Sequence, residues 1–256
     1  MKRYGLLGEN VSASLSPLIH QAFSPESYEL FSMKEEEALR FLREGDYTGL
    51  NVTMPYKKTV LPLLAGMTEQ AAAIGCVNTV VRRPDGMLLG DNTDCVGLSW
   101  ELDSFGLNLS GQKVLVLGSG GTSLTACYVL RQRGAEPVVI SRKGENRYEN
   151  LSRHREAFGL INTTPVGMAP ESSLSPVDLT RFDRLSFVYD VVYTPLPTKL
   201  VQQAQELSIP CRGGLGMLVR QAAASRVFWG ETDPGEQRIC RLIQELEKNC
   251  KSNCGG

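Results

Sequence analysis

The stretch KVLVLGSGGTSLTA, residues 113–126, constrains the fold more than any other part of the chain. Its uninterrupted apolar run suits a strand buried on both faces of a parallel sheet, and glycines at 118, 120 and 121 follow at once. TSLTACYVLRQRG then reads as a helix and PVVISR as the next strand, which completes a βαβ unit. The unit begins so late that a separate domain has to precede it.

That earlier part alternates in the same way. RYGLLG (3–8), YELFSM (28–33) and GLNVT (49–53) read as strands. SPLIHQAF (16–23) reads as a helix with Ser16 as its cap and Pro17 in its first turn. EEEALRFLREG (35–45) is a helix with acids early, an Arg late and a glycine stop. TEQAAAIG (68–75) and TDCVGLSWELDSFG (93–106) are further helices, and NTVVRRPDGMLLGDN (78–92) is a hairpin turning at Pro84-Asp85-Gly86. After the βαβ unit, LINTTPVG, SFVYDVVY and a helix near 198–207 continue the alternation, and two helices, GLGMLVRQAAASRVFWG and GEQRICRLIQELEKN, close it. The pattern predicts an α/β protein of two domains with parallel sheets.

Composition excludes several function classes. A net charge of −1 over 256 residues gives no global field for nucleic acid or an anionic membrane. No apolar run approaches the roughly 20 residues that cross a bilayer, and the apolar part of MKRYGLLGEN is too short for a signal peptide. Seven cysteines without a CxxC pair, beside two histidines, predict reduced thiols in the cytoplasm and no metal site. Cys250 and Cys254 are expected to be exposed in the tail.

In the glycine turn, Gly118 permits the tight exit from the strand and Gly120 lets backbone approach a pyrophosphate. The N-terminus of the helix that follows supplies N–H donors and the positive end of its dipole. A strict G-x-G-x-x-G would have glycine where this chain has Ser123, so a glycine turn without a ligand remains the alternative. The next strand ends in Ser141, Arg142 and Lys143, with no acid before Glu145. An acid there holds a ribose 2′-hydroxyl, whereas Arg clamps a 2′-phosphate, so NADP is favoured over NAD. A solvated basic turn would leave the cofactor open.

Eight blocks, in order, carry a resemblance over nearly the whole chain: SASLSPLIH (12–20), GLNVTMPYK (49–57), AAIGCVNTV (72–80), GDNTDCVG (90–97), VLGSGGTS (116–123), INTTPVGM (161–168), YDVVYTPLPT (189–198) and GLGMLVRQAA (214–223). The chain resembles the shikimate dehydrogenase family. The resemblance implies NADPH-dependent reduction of 3-dehydroshikimate to shikimate, on the route to chorismate and the aromatic amino acids. It implies an α/β substrate domain, residues 1–98 completed by C-terminal helices at 218–256, and a Rossmann-like parallel-sheet NADP-binding domain at 99–217.

Residue by residue, it implies Lys57 and Asp94 as the catalytic pair, with Lys58 facing solvent. Ser14 and Ser16 would take the substrate carboxylate, although both hydroxyls could equally serve the helix after Pro17. Thr53 and Asn78 would hydrogen-bond ring hydroxyls, Gln221 would close over the substrate, and Tyr193 would lie where substrate meets nicotinamide. On the cofactor side it implies Gly118, Gly120, Gly121, Arg142, Thr163, Val192, Gly214 and Met217. The loop at INTTPVGM would pass close to the cofactor or would merely end a strand at its proline. The expected partner is the small-molecule substrate, with neither nucleic acid nor membrane, and the chain is expected to be a monomer or homodimer.

Two features depart from the family pattern. Ser141-Arg142-Lys143 stands where many members carry Asn-Arg-Thr, and only 18 residues separate Lys143 from Asn162. Members usually fit a helix and a further short strand there. NRYENLSRHREAFG offers one helix, so the cofactor sheet is expected to be a strand short. The alternatives are an NAD-using quinate or shikimate dehydrogenase and a non-catalytic sensor of the same fold. Arg142 with Lys143 argues against the first, and retention of both Lys57 and Asp94 against the second.

Overall fold

The structure, a computed structural model, describes residues 2–253. The chain divides into two compact units, Met1–Val96 with Val219–Leu242 and Gly97–Leu218 with Ile243–Gly256.

In the first unit, β1 (Arg3–Gly8), β2 (Ser27–Ser32) and β3 (Gly49–Val52) run parallel and are joined by α1 (Ser16–Phe23) and α2 (Glu35–Glu44). β4 (Gly66–Met67), α3 (Glu69–Ile74) and the hairpin β5 (Thr79–Arg82) and β6 (Leu88–Asp91) follow, giving the sheet order β2-β1-β3-β5-β6-β4. β5 runs antiparallel to both β3 and β6. The hairpin turns where expected: Gly86 takes φ +84°, and Asp85 Oδ1 accepts from Met87 N–H at 3.0 Å. Leu7, Leu42, Leu50, Tyr56 and Val80 pack into one core, which seats α2 against the sheet.

Two helix ends differ from expectation. Ser16 does not cap α1; its N–H donates to Ser14 Oγ at 3.1 Å, so the hydroxyl two residues earlier satisfies that donor. Gly45 does follow α2, but at φ −67° rather than in the left-handed region. Its role is spatial, since a Cβ would stand 2.5 Å from Phe41 O and 2.6 Å from the Phe41 ring.

In the second unit, α4 (Asp94–Asp103) leads to β7 (Lys113–Leu117), α5 (Gly121–Gln132), β8 (Glu136–Ile140), β9 (Gly159–Asn162), β10 (Phe187–Asp190), α6 (Lys199–Glu206) and β11 (Cys211–Gly213). α7 (Leu215–Phe228) and α8 (Glu236–Asn253) end the chain. The boundary between the units falls inside α4, α7 and α8.

All five strands of this sheet are parallel, in the order β11-β10-β9-β7-β8. Right-handed crossovers make such a sheet from alternating strands and helices, with apolar residues on both faces. Val114 to Leu117 and Leu160 to Ile161 are fully buried, as the apolar runs demanded. Between β8 and β9 lies no strand, only the 3-10 helix Tyr148–His154, so β8 is the edge. An α-helix was expected there. Asn150 interrupts it, its side chain accepting from Arg147 N–H at 2.8 Å and donating to Glu145 O at 2.8 Å, bonds that compete with helical ones.

Cys76, Cys95 and Cys127 are buried and form no disulfide among the described residues; the exposure expected of Cys250 and Cys254 lies outside the described side chains. No helix among the described residues is long and apolar enough to cross a membrane.

Candidate active site

Strand β3 carries the chain to Thr53, and the turn beyond it presents Lys57. Tyr56 anchors that turn: it is buried, its N–H donates to Thr53 O at 2.9 Å and its hydroxyl to Met33 O at 2.6 Å. Val77 N–H donates to Lys57 O at 3.0 Å, which pins the lysine backbone beside the strand leading into β5. Lys57 therefore turns inward, whereas Lys58 is exposed.

Asp94 opens α4 and meets Lys57 directly, Nζ donating to Oδ2; the two side chains are 12% and 10% exposed. The other carboxylate oxygen accepts from Asn78 Nδ2 at 2.8 Å. Asn78 Oδ1 accepts from Thr93 N–H at 2.7 Å and Thr93 Oγ1 at 3.1 Å, so its amide can face only one way. The same Nδ2 reaches Gln221 Oε1 on α7 at 3.4 Å. Four residues remote in sequence thus share one polar cluster, and at this low exposure water screens the ion pair little.

Ser14 and Ser16 form a pair of their own, Ser14 Oγ donating to Ser16 Oγ at 3.0 Å. Among the described residues no hydrogen bond joins that pair to the lysine cluster. Thr53 is half-buried at the end of β3, its N–H donating to Leu7 O at 2.9 Å. Cys95, next to Asp94, offers no nucleophile: burial, reinforced by the Asp91 and Asp94 carboxylates, pushes its thiol up to about 12.

In the second unit the strand registers align Ile140, Leu117, Asn162, Asp190 and Gly213 in one rung at the carboxyl ends of β8, β7, β9, β10 and β11. Of the residues expected to touch a dinucleotide, Gly118, Arg142, Thr163, Val192 and Gly214 lie within two positions of that rung and Gly120, Gly121 and Met217 within four, along the edge where open parallel sheets hold ligands. Gly118 takes φ +107°, and a Cβ there would stand 2.9 Å from Thr163 Oγ1. Thr163 Oγ1 donates to Leu117 O at 2.6 Å. Gly120 is exposed with nothing within 4 Å of where a Cβ would sit, so a phosphate group could approach its backbone at the N-terminus of α5.

Arg142 is exposed beyond β8 in a turn held by Ser141 N–H donating to Asn146 O at 3.2 Å. Gly214 N–H donates to Val192 O at 3.1 Å, which joins the ends of β10 and β11. A Cβ on Gly97 would stand 2.6 Å from Met217 O, so α4 and α7 touch closely at Met217. Tyr193 is half-buried, one residue after Val192.

Reasoning from sequence missed the support beneath this edge. Buried Asp190 accepts from Asn162 Nδ2 at 2.9 Å, Val192 N–H at 3.0 Å and Thr198 Oγ1 at 2.7 Å. An acid closing an otherwise apolar strand, SFVYD, was the available signal. Burial pushes its carboxyl up to about 6, although all three donors pull it down.

Comparison with known proteins places this geometry in context. Residues 6–80 match the family model described as shikimate dehydrogenase substrate binding domain. The shikimate dehydrogenase (NADP(+)) of Caldanaerobacter subterraneus is 36% identical over 256 residues, spanning 89% of this chain and 91% of its own. The crystal structure of shikimate dehydrogenase 1 from Peptoclostridium difficile superposes with a TM-score of 0.89 at 30% identity, covering 98% of this chain and 99% of that one. Shikimate 5-dehydrogenase from Thermus thermophilus, solved in complex with NADP(H) and shikimate, gives 0.84 at 31% identity, over 96% and 99% of the chains.

Proposed function

The chain belongs to the shikimate dehydrogenase family, and from that membership we propose that it reduces 3-dehydroshikimate to shikimate reversibly with NADPH, using Lys57 and Asp94 to handle the proton. The observation that carries this reading is the paired ammonium and carboxylate, nearly enclosed, with Asn78 and Gln221 gathered at the carboxylate.

Turning a ring ketone into an alcohol adds a hydride to carbon and a proton to oxygen. Bound NADPH supplies the hydride. Lys57 Nζ gives its proton to the oxygen as that oxygen becomes a hydroxyl, and in the reverse direction the neutral amine takes the proton back. Asp94 keeps Nζ aimed and accepts from a neighbouring substrate hydroxyl. The amides of Asn78 and Gln221 and the hydroxyl of Thr53 meet the remaining ring hydroxyls, and Ser14 with Ser16 donates to the carboxylate. Because such a site leaves buried groups unpaired when a hydroxyl is missing, it rejects deoxy analogues strongly.

The cofactor edge fits NADP by its own chemistry. The open approach at Gly120 and the helix start at Gly121 suit a pyrophosphate, and Arg142 suits a 2′-phosphate. Thr163, Val192, Gly214 and Met217 would line the rest of the dinucleotide, with Tyr193 at the nicotinamide end. Residues 1–98 with 218–256 are assigned the substrate role and 99–217 the cofactor role. Seven cysteines without a CxxC pair support a cytoplasmic setting, and the protein is taken to act as a monomer or homodimer.

Following NADPH oxidation with 3-dehydroshikimate tests the assignment. Lys57→Ala is expected to lose about 10²- to 10⁴-fold in kcat with a smaller change in KM. Near-normal turnover would remove Lys57 from the mechanism. NADH and quinate run in parallel measure both preferences.

A further inference from the structure

A file of buried hydrogen bonds runs into the Asn78–Asp94 contact from β2 and α7. Tyr28 OH donates to Asn51 Oδ1 at 2.9 Å, which turns the Asn51 amide so that Nδ2 donates to Ser225 Oγ at 2.8 Å. Ser225 Oγ lies 2.9 Å from Thr93 Oγ1. Thr93 spends its own proton on Asn78 Oδ1, so the proton shared by the two hydroxyls is the serine's. Asn78 Nδ2 then donates to Asp94 Oδ1. Every link points the same way and the last acceptor is the carboxylate. Tyr28, Asn51, Asn78, Thr93 and Ser225 are all at most 5% exposed. In so dry a setting aligned donors polarise one another, and an unmade bond is costly.

We infer that Ser225 is a positioning residue for the reaction: through Thr93 it holds Asn78 with its NH₂ on Asp94, and so sets the geometry that the substrate meets. Ser225 follows Gln221 by one helical turn on α7, so a single helix face delivers both the substrate-facing amide and the hydroxyl that steadies the facing cluster. The inference rests on the reading that Asn78 and Asp94 hold the substrate. Ser225→Ala would leave Asn51 Nδ2 only the longer bond to Asn78 O at 3.4 Å and Thr93 Oγ1 without its donor, and would loosen the hydroxyl's hold on the Asn78 amide, with the Thr93 N–H left to fix it.

The test is steady-state kinetics of the full chain with shikimate and NADP⁺, beside thermal unfolding of each variant. Ser225→Ala is expected to raise KM for shikimate about fivefold and to lower kcat severalfold, with KM for NADP⁺ unchanged. Ser225→Thr, which keeps the hydroxyl, is expected to stay within about twofold of wild type. Tyr28→Phe, which removes only the first donor, is expected to raise KM for shikimate about twofold. A purely structural serine would lower Tm and the active fraction while leaving KM untouched, and that result overturns the inference. Should Ser225→Ala fail to fold, an unchanged KM in Tyr28→Phe overturns it instead. Asn78→Ala separates the two levels. A normal shikimate KM there removes the reading of the site itself. A raised one, beside normal values in Ser225→Ala and Tyr28→Phe, removes the positioning role alone.

Discussion

At Asp190 three hydrogen-bond donors and a dry setting pull against each other, and burial prevails, raising the carboxyl to about 6. An unfolded chain gives up that proton near pH 4, so between about pH 4 and 6 unfolding releases a proton and rising pH favours the unfolded state. Asp190 therefore costs the fold about 2–3 kcal/mol once the pH exceeds 6. Denaturant unfolding of Asp190→Asn should lack this component: the difference in stability from wild type should shift in the variant's favour as pH rises from 4 to 6.5, and a flat difference would refute the account. His20 works in the opposite sense. Burial, with Arg226 beside it, holds its imidazole well below 6.5, so this residue withdraws stability as pH falls below 6.5 and the unfolded chain takes up the proton. Neither shift was legible beforehand, because burial is set by neighbours. The identity of Lys57 as the inward lysine followed from its motif, but its enclosure came from Tyr56 and Val77.

Among the elements, β7, the glycine turn and α5 were legible because each obeys a local rule: an apolar run, a backbone that needs glycine, and a helical stretch after it. Gly118→Ala tests that rule. A methyl group at φ +107° and 2.9 Å from Thr163 Oγ1 is strained and crowded, so about 1–3 kcal/mol of stability should go. KM for NADPH should rise about tenfold while KM for shikimate holds if the turn holds the cofactor as proposed. Equal effects on both constants would show the turn to be a general scaffold. Other elements escaped notice. β4 has two residues and β11 three, too short for any alternation to register, and they exist because a neighbouring strand offers them partners. The segment before β9 fell short of an α-helix because Asn150 bonds its own backbone surroundings.

For the molecule as a whole, each compact unit carries its own set of candidate groups: the lysine cluster in one, the strand-end rung in the other. Hydrogen exchange separates them. Shikimate alone should slow exchange around residues 53–57, 78 and 93–94 and along α7 near Gln221. NADP⁺ alone should slow it at 118–122, 163–164 and 192–193. Protection of the same segments by either ligand would contradict the division of roles. The order of the longer strands and helices, and Lys57 and Asp94 as candidate reacting groups, were already legible in the sequence alone, because periodicity, glycine and proline act through the local backbone. Folding alone decided that Lys57 meets Asp94, that Thr93 bonds both Asn78 and Ser225, and that Asp190 accepts from Val192 N–H beneath the strand-end rung. Those contacts join residues far apart along the chain, and a hydrogen bond between distant residues leaves no period in the sequence to read.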